Sequence, residues 1–258
     1  MPSPRLMIDA PLAPDLPPPL PPDQSHYLVQ VMRLRPGDEV RLFNGRDGEW
    51  RATIEAVAKK SVVLRIEQCL RPQSALPPLT LAFAIVKRAA LEWIVEKATE
   101  LGATTLQPVV TQRTNQDRIN LDRLSAIVRE AAEQTERLDL PLLQAPLPLQ
   151  DALVRAAPDA HWFFADETGD DPDAAWGAPW LAAPTDKKAR IIDAFSAARG
   201  APAAILIGPE GGFTAQERAM LRSIDKVTPI GLGPRILRAE TAAIAALALW
   251  QACAGDWS

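Results

Sequence analysis

From Leu79 onward, apolar runs of strand length alternate with segments of helical period. The clearest pair is Leu79–Val86, an uninterrupted apolar run, followed by Arg88–Leu101, in which the apolar residues recur on one helical face. Such strands are typical of a parallel sheet that is covered by helices on both faces. The sequence therefore predicts an α/β fold with a parallel sheet for this part of the chain.

The same reading places the remaining elements of this region. Further strands are predicted at residues 105–110, 161–165, 203–207 and 227–230. Further helices are predicted at residues 122–137, 187–199, 215–224 and 238–253. Residues 166–184 are acidic, contain Gly, Pro and Trp, and follow no clear period, so we expect a long loop there.

A different pattern precedes the proline cluster near residues 72–78. Residues 11–22 hold seven prolines in twelve positions, which excludes a regular helix or a central strand and indicates a surface arm. Between residues 26 and 68, short β-type runs at 39–43, 49–57 and 61–66 are separated by turn signals. We therefore expect two domains, a small antiparallel barrel or sandwich in residues 1–72 and the α/β domain in residues 73–258.

Composition excludes several classes of protein. With 28 basic and 32 acidic residues the formal charge is −4, so no general positive field indicates nucleic acid. Residues 26–72 are the exception, with nine basic against six acidic residues, which fits either phosphate contacts or an ordinary solvated surface. No membrane span or signal peptide is present, so we expect a cytoplasmic protein. Isolated cysteines and histidines predict no metal site: Cys69, Cys253, His26 and His161.

Two segments join a strand end to a helix start through a glycine-rich turn. In the first, Ile207–Gly212, the glycines permit close backbone approach to a ligand, and Thr214 with Glu217 forms a capping box. The second, Gly231–Thr241, places two arginines and a glutamate at the mouth of its helix. Neither contains the GK[ST] ending of a P-loop or the GxGxxG pattern of dinucleotide sites. The two segments therefore predict a ligand site that is neither a P-loop nor a dinucleotide site. The alternative is that each is only a structural turn between a strand and a helix.

The motifs IGPEGGF and LGPRILRAETAA resemble the paired signature of the SPOUT superfamily of knotted α/β methyltransferases. Within it, they resemble the family that methylates N3 of a uridine in small-subunit (16S) ribosomal RNA. EKATELG, QPVVTQRT and EAAEQTER resemble internal blocks of that family, and residues 26–45 resemble its PUA-like RNA-binding domain. The resemblance covers nearly the whole chain.

This resemblance implies a C-terminal SPOUT domain with a deep trefoil knot and an N-terminal PUA-like β-barrel. It also implies S-adenosylmethionine as cofactor, 16S rRNA within the small ribosomal subunit as partner, and a homodimer. The implied cofactor-binding residues are Ile207, Gly208, Pro209, Gly211, Gly212, Leu232, Gly233, Ile236, Leu237, Arg238 and Thr241. The implied RNA contacts are Arg33, Arg35, Arg113 and Arg137.

The expected chemistry is methyl transfer to an imide nitrogen. Arg238 is the first candidate for stabilising the uridine anion, with Arg235 beside it. Glu210 or Glu240 would accept the proton if burial raised its pKa, and holding a spontaneously formed anion is the alternative. One departure from the family is Asp139, where many members carry a basic residue.

Two other functions stay open on the sequence alone. A SPOUT methyltransferase acting on another RNA nucleotide would share these motifs. A non-catalytic RNA-binding or assembly protein, or a cofactor-responsive regulator, could retain the same fold. The methylated nucleoside distinguishes the first alternative, and turnover of labelled cofactor distinguishes the second.

Overall fold

The computed structural model describes residues 3–14, 16–58, 61–75, 77–114, 118–155, 159–166, 189–233 and 235–257. Contacts between residues divide the chain into two compact units. One comprises Met1–Ala75 with Arg129–Leu140, and the other comprises Leu76–Val128 with Pro141–Ser258. The sequence boundary between residues 72 and 73 stays a prediction about the two domains.

The N-terminal unit is built on a four-stranded sheet in the order β1-β2-β3-β4. The strands are β1 (Arg5–Met7), β2 (Glu39–Phe43), β3 (Glu49–Val57) and β4 (Val62–Arg71). Strands β2, β3 and β4 pair antiparallel as predicted, whereas β1 pairs parallel with β2. The sequence did not predict β1, the short helix α1 (Pro22–His26) or the π-helical turn Tyr27–Val31 that continues it.

Alternating residues of this sheet form the apolar core of the unit. The inward set has almost no exposed surface and consists of Val40, Leu42, Ala52, Ile54, Leu64 and Ile66. Leu12, from the proline-rich arm, and Leu28, from the π-helical turn, are buried against it. The arm is therefore tied to the core at Leu12, where the main-chain N–H also donates to Asp47 Oδ2 at 2.9 Å.

A buried ion pair fixes β1. Arg5 Nε donates to Glu49 Oε1 at 2.6 Å, and both side chains are almost fully buried. The guanidinium also donates to three main-chain oxygens, those of Ala132, Glu133 and Arg137. The first two lie in the last turn of α3 (Leu121–Gln134), where carbonyls have no partner within the helix, and the third lies just beyond it. Burial alone would raise the pKa of Glu49, but hydrogen bonds from Arg71 and Arg5 outweigh it and lower that pKa.

The second unit is built on an eight-stranded sheet in the order β10-β12-β9-β11-β5-β6-β7, and β8 also pairs with β6. Its strands are β5 (Leu79–Ala84), β6 (Thr105–Val110), β7 (Leu142–Leu143), β8 (Leu147–Pro148), β9 (His161–Ala165), β10 (Ala189–Arg190), β11 (Ala203–Ile207) and β12 (Val227–Gly231). Besides α3, the helices are α2 (Arg88–Glu100), α4 (Leu149–Arg155), α5 (Ile191–Ala197), α6 (Ala215–Arg222) and α7 (Ala239–Cys253). Every strand pair recorded in this sheet is parallel, as predicted.

Adjacent residues of β9 anchor the two faces of this sheet, because successive side chains of a strand point to opposite sides. Phe163 contacts Phe195 of α5 and Trp250 of α7, with ring centroids 5.0 and 5.9 Å apart. Phe164 contacts Phe213 on the other face, edge to face at 6.1 Å, and belongs to one core cluster with Leu149 of α4 and Leu221 of α6. Helices therefore cover both sides of a parallel sheet, which confirms the predicted α/β class.

Some expectations differ from the structure or lie beyond it. Helix α4 and the two-residue strands β7, β8 and β10 were not predicted, and α5 is shorter than the helix expected at residues 187–199. Most of the loop expected at residues 166–184 lies outside the described residues. The trefoil knot stays a prediction, because strand order does not trace how a chain threads. Across the described ranges, no helix is long and apolar enough to cross a membrane.

The buried ion pair generates a stability prediction. Glu49→Gln is expected to lower the free energy of unfolding by about 3 kcal/mol at neutral pH, because Arg5 loses its buried carboxylate partner. Since the pKa of Glu49 is lowered from 4.5 in the folded protein, its contribution is complete above that value. The contribution disappears as the pH falls through the lowered pKa. Urea unfolding of both proteins at a series of pH values measures it.

The difference between wild type and Glu49→Gln should therefore shrink below pH 4.5. Glu55→Gln is the matched control, because Glu55 is exposed on the same strand and has no ion pair within the described residues. It should change stability little at any pH. A Glu49→Gln effect that is equally large on both sides of that pH would contradict the assignment.

Candidate active site

The carboxyl ends of the parallel strands share one edge of the sheet, and this edge collects both glycine-rich turns. The first turn follows β11 and the second follows β12, with β9 between them. Neighbouring strands lie about 4.8 Å apart, so the two turns leave the sheet about 10 Å apart. A ligand of nucleoside size could reach both, and this edge is where open α/β sheets bind ligands.

The fold itself requires two glycines of the first turn. Gly212 donates its main-chain N–H to the oxygen of Pro209 at 2.8 Å, and its φ of 68° lies in the left-handed region that favours glycine. A Cβ at Gly208 would lie 2.9 Å from the ring of Phe213, which is buried. These two positions are therefore explained without a ligand.

The second turn is exposed and carries unpaired positive charge. Arg235 and Arg238 are both exposed, and neither guanidinium has a hydrogen-bonding or ion-pair partner in the described part of the chain. Arg238 is the N-cap residue of α7, where its side chain cannot accept from the helix N–H groups because a guanidinium has only donors. Gly233 has a φ of 94°, and the position of a Cβ there is open space. Pro234, which lies between Gly233 and Arg235 in the sequence, is outside the described residues.

Apolar side chains accompany these arginines. Ile236 is 42% exposed, and Leu232 and Leu237 are partly buried. Thr241 is exposed in the first turn of α7. Apolar groups beside a few polar ones are the usual lining of a small-molecule site. The second turn therefore offers both an apolar surface and cationic groups to a ligand.

The two candidate carboxylates differ in their surroundings. The Glu210 side chain is 48% exposed, and its Oε2 lies 4.0 Å from Nζ of Lys87, which follows β5. Glu240 is partly buried at the start of α7 and has no ion pair among the described residues. The burial that a carboxylate base requires is therefore absent at Glu210. Lys87 was not predicted as a site residue, because no sequence spacing relates it to Glu210.

Arg113 reaches the same edge from the loop after β6. Its guanidinium NH1 donates to the main-chain oxygen of Gly211 at 2.7 Å, so the predicted RNA contact lies beside the first glycine-rich turn. A Cβ at Gly211 would stand 3.6 Å from the Cδ of Arg113, which is an ordinary contact distance. Unlike Gly208, Gly211 thus has room for a methyl group within the protein.

The other predicted RNA contacts belong to the N-terminal unit. Arg33 and Arg35 are exposed and have no ion-pair partner within the described residues. Other arginines of this unit are paired, as Arg51 is with Glu67 at 3.2 Å. Arg33 also holds a φ of 58°, a conformation that is uncommon for a residue with a side chain.

Arg137 differs from Arg33 and Arg35, because it is 8% exposed. Its Nε and NH2 both donate to Asp139 Oδ1, at 3.1 and 2.9 Å. Asp139, which the resemblance marks as a departure from the family pattern, holds Arg137 in an ion pair. Arg137 as an RNA contact stays a prediction, which would require this pair to open.

Known proteins resemble the chain over both units. Residues 72–251 match the RNA methyltransferase domain family, and residues 20–67 match the RNA methyltransferase PUA domain family. Ribosomal RNA small subunit methyltransferase E of Rickettsia conorii is 35% identical, over 86% of this chain and 84% of its own length. The protein of that name from Synechocystis sp. is 37% identical, over 87% and 69%. The chain belongs to the ribosomal RNA small subunit methyltransferase E family.

A solved structure supports this membership. A protein from Legionella pneumophila, described as a methyltransferase in complex with the cofactor SAM, matches with a TM-score of 0.81 and 30% identity. The match covers 99% of this chain and 100% of that one. The predicted SPOUT α/β fold with an N-terminal PUA domain is thereby confirmed for this member of the methyltransferase E family. Its described residues contain no cluster of His, Cys, Asp or Glu that could hold a metal ion.

The glycine geometry predicts how the first turn responds to substitution. Gly211→Ala is expected to leave the melting temperature unchanged and to weaken S-adenosylmethionine binding about tenfold, or about 1.4 kcal/mol, because only a close ligand would meet the new methyl group. Gly208→Ala should lower the melting temperature as well, because its Cβ meets Phe213. Titration calorimetry and thermal unfolding separate the two effects. Undiminished affinity in Gly211→Ala would exclude close approach at that residue.

The backbone of Arg33 generates a second prediction. Arg33→Gly is expected to retain or raise stability, by up to about 1 kcal/mol, because glycine adopts its left-handed φ without a steric penalty. The same variant should bind RNA more weakly and reduce the slope of log affinity against log salt by about 0.7 to 0.9, the value for one phosphate contact. Arg33→Lys, which retains the charge, is the control. An unchanged salt slope in Arg33→Gly would show that Arg33 does not contact phosphate.

Proposed function

We propose that the protein transfers a methyl group from S-adenosylmethionine to N3 of a specific uridine in 16S ribosomal RNA. The observation that carries this proposal is the shared sheet edge, from which both glycine-rich turns emerge and where the second turn bears exposed, unpaired Arg235 and Arg238. Membership of the methyltransferase E family supports the substrate class, because relatives 35% and 37% identical bear the name of a small-subunit ribosomal RNA methyltransferase.

The residues at this edge suit S-adenosylmethionine. Ile236, 42% exposed, leaves an apolar surface for an adenine ring, and the open space at Gly233 lets main-chain groups approach a ligand. Ile207 and Pro209 are buried, and they would shape the floor of the site rather than cover the ligand. The remaining proposed contacts are Gly208, Gly211, Gly212, Leu232, Leu237, Arg238 and Thr241. The cofactor supplies an electrophilic methyl group on a sulfonium.

The chain's own contribution is to stabilise negative charge on the base. When N3 loses its proton, charge spreads to the two neighbouring carbonyl oxygens of the uracil. Guanidinium groups stabilise such oxygens with directed N–H donors, and they stay charged at every physiological pH. Arg238 is the primary candidate, because its side chain is exposed at the N-cap of α7 and its guanidinium has no hydrogen-bonding or ion-pair partner among the described residues. Arg235 provides a second cation three residues earlier.

The proton on N3 has two possible routes. Of the candidate carboxylates, Glu240 suits proton acceptance better than Glu210, because Glu240 is partly buried while Glu210 is exposed and lies 4.0 Å from Lys87. In the second route the arginines hold a uridine that has ionised in solvent. Both routes depend on Arg238, so the arginine is the residue to test first.

Access to N3 determines how the RNA must bind. Because N3 lies on the Watson–Crick edge, the uridine must be unpaired or extruded from its stack. Arg33 and Arg35 of the PUA domain and Arg113 at the active edge are the proposed phosphate contacts, whereas Arg137 is held by Asp139. We further propose a cytoplasmic homodimer that acts on RNA within the small ribosomal subunit.

Nucleoside analysis tests this function. Small-subunit RNA and intact subunits from cells lacking the protein are incubated with the purified chain and S-adenosylmethionine, then digested for mass spectrometry. We expect new 3-methyluridine. Arg238→Ala is expected to lower kcat by about 100-fold to 1000-fold, the usual effect of removing one donor that stabilises transition-state charge.

Thr228→Ser is the control for expression and handling, because Thr228 lies on β12 but at its amino end, away from the proposed site. A different methylated nucleoside would retain the methyltransferase and change its target. Absence of methylation from both substrates would favour an RNA-binding or assembly protein. Full activity in Arg238→Ala would remove Arg238 from the mechanism.

A further inference from the structure

Glu217, in the first turn of α6, shares its carboxylate between two loops. It is only 6% exposed. Its Oε2 accepts the main-chain N–H of Thr214 at 2.9 Å, which completes the capping box predicted from the sequence. Its Oε1 accepts the main-chain N–H of Gln112 at 2.8 Å, from the loop after β6. Capping α6 requires only the first of these bonds, and the second joins the start of α6 to the loop after β6.

The loop after β6 is itself compact. Thr111 donates its main-chain N–H to Thr114 Oγ1 at 2.9 Å, which closes residues 111–114 into a tight turn. Gln112 then joins this turn to the start of α6 through three bonds. Its main-chain N–H donates to Glu217, its side-chain oxygen accepts from Thr214 Oγ1 at 3.0 Å, and its side-chain NH2 donates to Gln216 Oε1 at 3.4 Å. The turn and the start of α6 are therefore tied together through main-chain and side-chain atoms of Gln112.

Arg113 follows directly on the tied residue. Its NH1 is anchored to the oxygen of Gly211 at 2.7 Å. The side chain is otherwise exposed, and its remaining N–H donors have no partner within the described residues. An arginine side chain carries about 2 kcal/mol of rotamer entropy, so fixing one nitrogen and the backbone reduces what binding must overcome. A free guanidinium edge matches the two oxygens of a phosphate.

We propose that Glu217 is a positioning residue for RNA binding. Its carboxylate holds the 111–114 turn against the first glycine-rich turn, so that Arg113 presents its free edge to a backbone phosphate beside the target uridine. This inference rests on the proposed function, because it assumes that RNA is the molecule bound at this edge. Glu217 touches neither RNA nor cofactor and acts through Arg113.

Steady-state kinetics of Glu217→Gln tests the inference. Glutamine offers one acceptor oxygen in place of two, and its amide NH2 must face one of the two N–H donors. We expect KM for RNA to rise about tenfold, which corresponds to about 1.4 kcal/mol. The kcat and the KM for S-adenosylmethionine should change less than about twofold, since the cofactor turns retain their contacts.

A double-mutant cycle with Arg113→Ala identifies the route. If Glu217 acts through Arg113, Glu217→Gln adds no further rise in KM for RNA once Arg113 is alanine. Glu217→Asp provides a second variant should glutamine impair folding, because it retains charge at the helix start but is too short to join both loops. It is expected to raise KM for RNA in the same way.

Ala219→Gly is the matched control for the stability of α6. Ala219 is exposed in that helix, and glycine there costs about 1 kcal/mol of helix stability. It should lower the melting temperature without changing KM for RNA. Equal kinetic effects of Ala219→Gly and Glu217→Gln, or additive effects of Glu217→Gln and Arg113→Ala, would overturn the positioning role. A wild-type protein that methylates no RNA would instead overturn the proposed function.

Discussion

Parallel pairing around β11 is the constraint on which the candidate site depends. All five residues of β11 are buried, and the strand pairs parallel with β9 on one side and β5 on the other. Because all these strands run in one direction, the turns after β5, β6, β11 and β12 emerge at the same edge. Lys87, Arg113 and the two glycine-rich turns thus lie at one edge although long stretches of sequence separate them. The sheet supplies the rigidity and the turns supply the chemistry.

The strands of this sheet were predictable because burial on both faces requires uninterrupted apolar sequence. The predicted bounds agree with the structure at Thr105–Val110, His161–Ala165 and Ala203–Ile207. Strand β1 was not predicted, because three residues are too few to show the alternation of apolar and polar side chains that indicates a strand. It is held instead by Arg5, whose partners at the end of α3 lie more than 120 residues away in sequence. No local pattern encodes a contact of that range.

The candidate site shows the same division between local and distant information. Glycine and capping patterns are local, so the sequence located both turns and paired Thr214 with Glu217. It assigned Gly208, Gly211, Gly212 and Gly233 to the ligand, whereas Gly208 is explained by its contact with Phe213. It also found only one of the two loops that Glu217 joins, because the bond to Gln112 spans 105 residues. A sequence motif thus locates candidate site residues, while tertiary contacts determine whether each one binds the ligand or supports the fold.

Charge pairing explains how an acidic protein can bind RNA. Most arginines of the N-terminal sheet form ion pairs within the protein, among them Arg41, Arg51, Arg65 and Arg71. Such pairs add almost nothing to the field that RNA meets, because opposite charges at short range cancel beyond about one Debye length. Attraction then depends on the cations that the fold leaves unpaired, among them Arg33, Arg35, Arg113, Arg235 and Arg238. A formal charge of −4 is therefore compatible with a local anion-binding surface. The Arg137–Asp139 pair has the opposite effect on RNA binding. Asp139 neutralises the charge of Arg137, so one potential phosphate contact is lost.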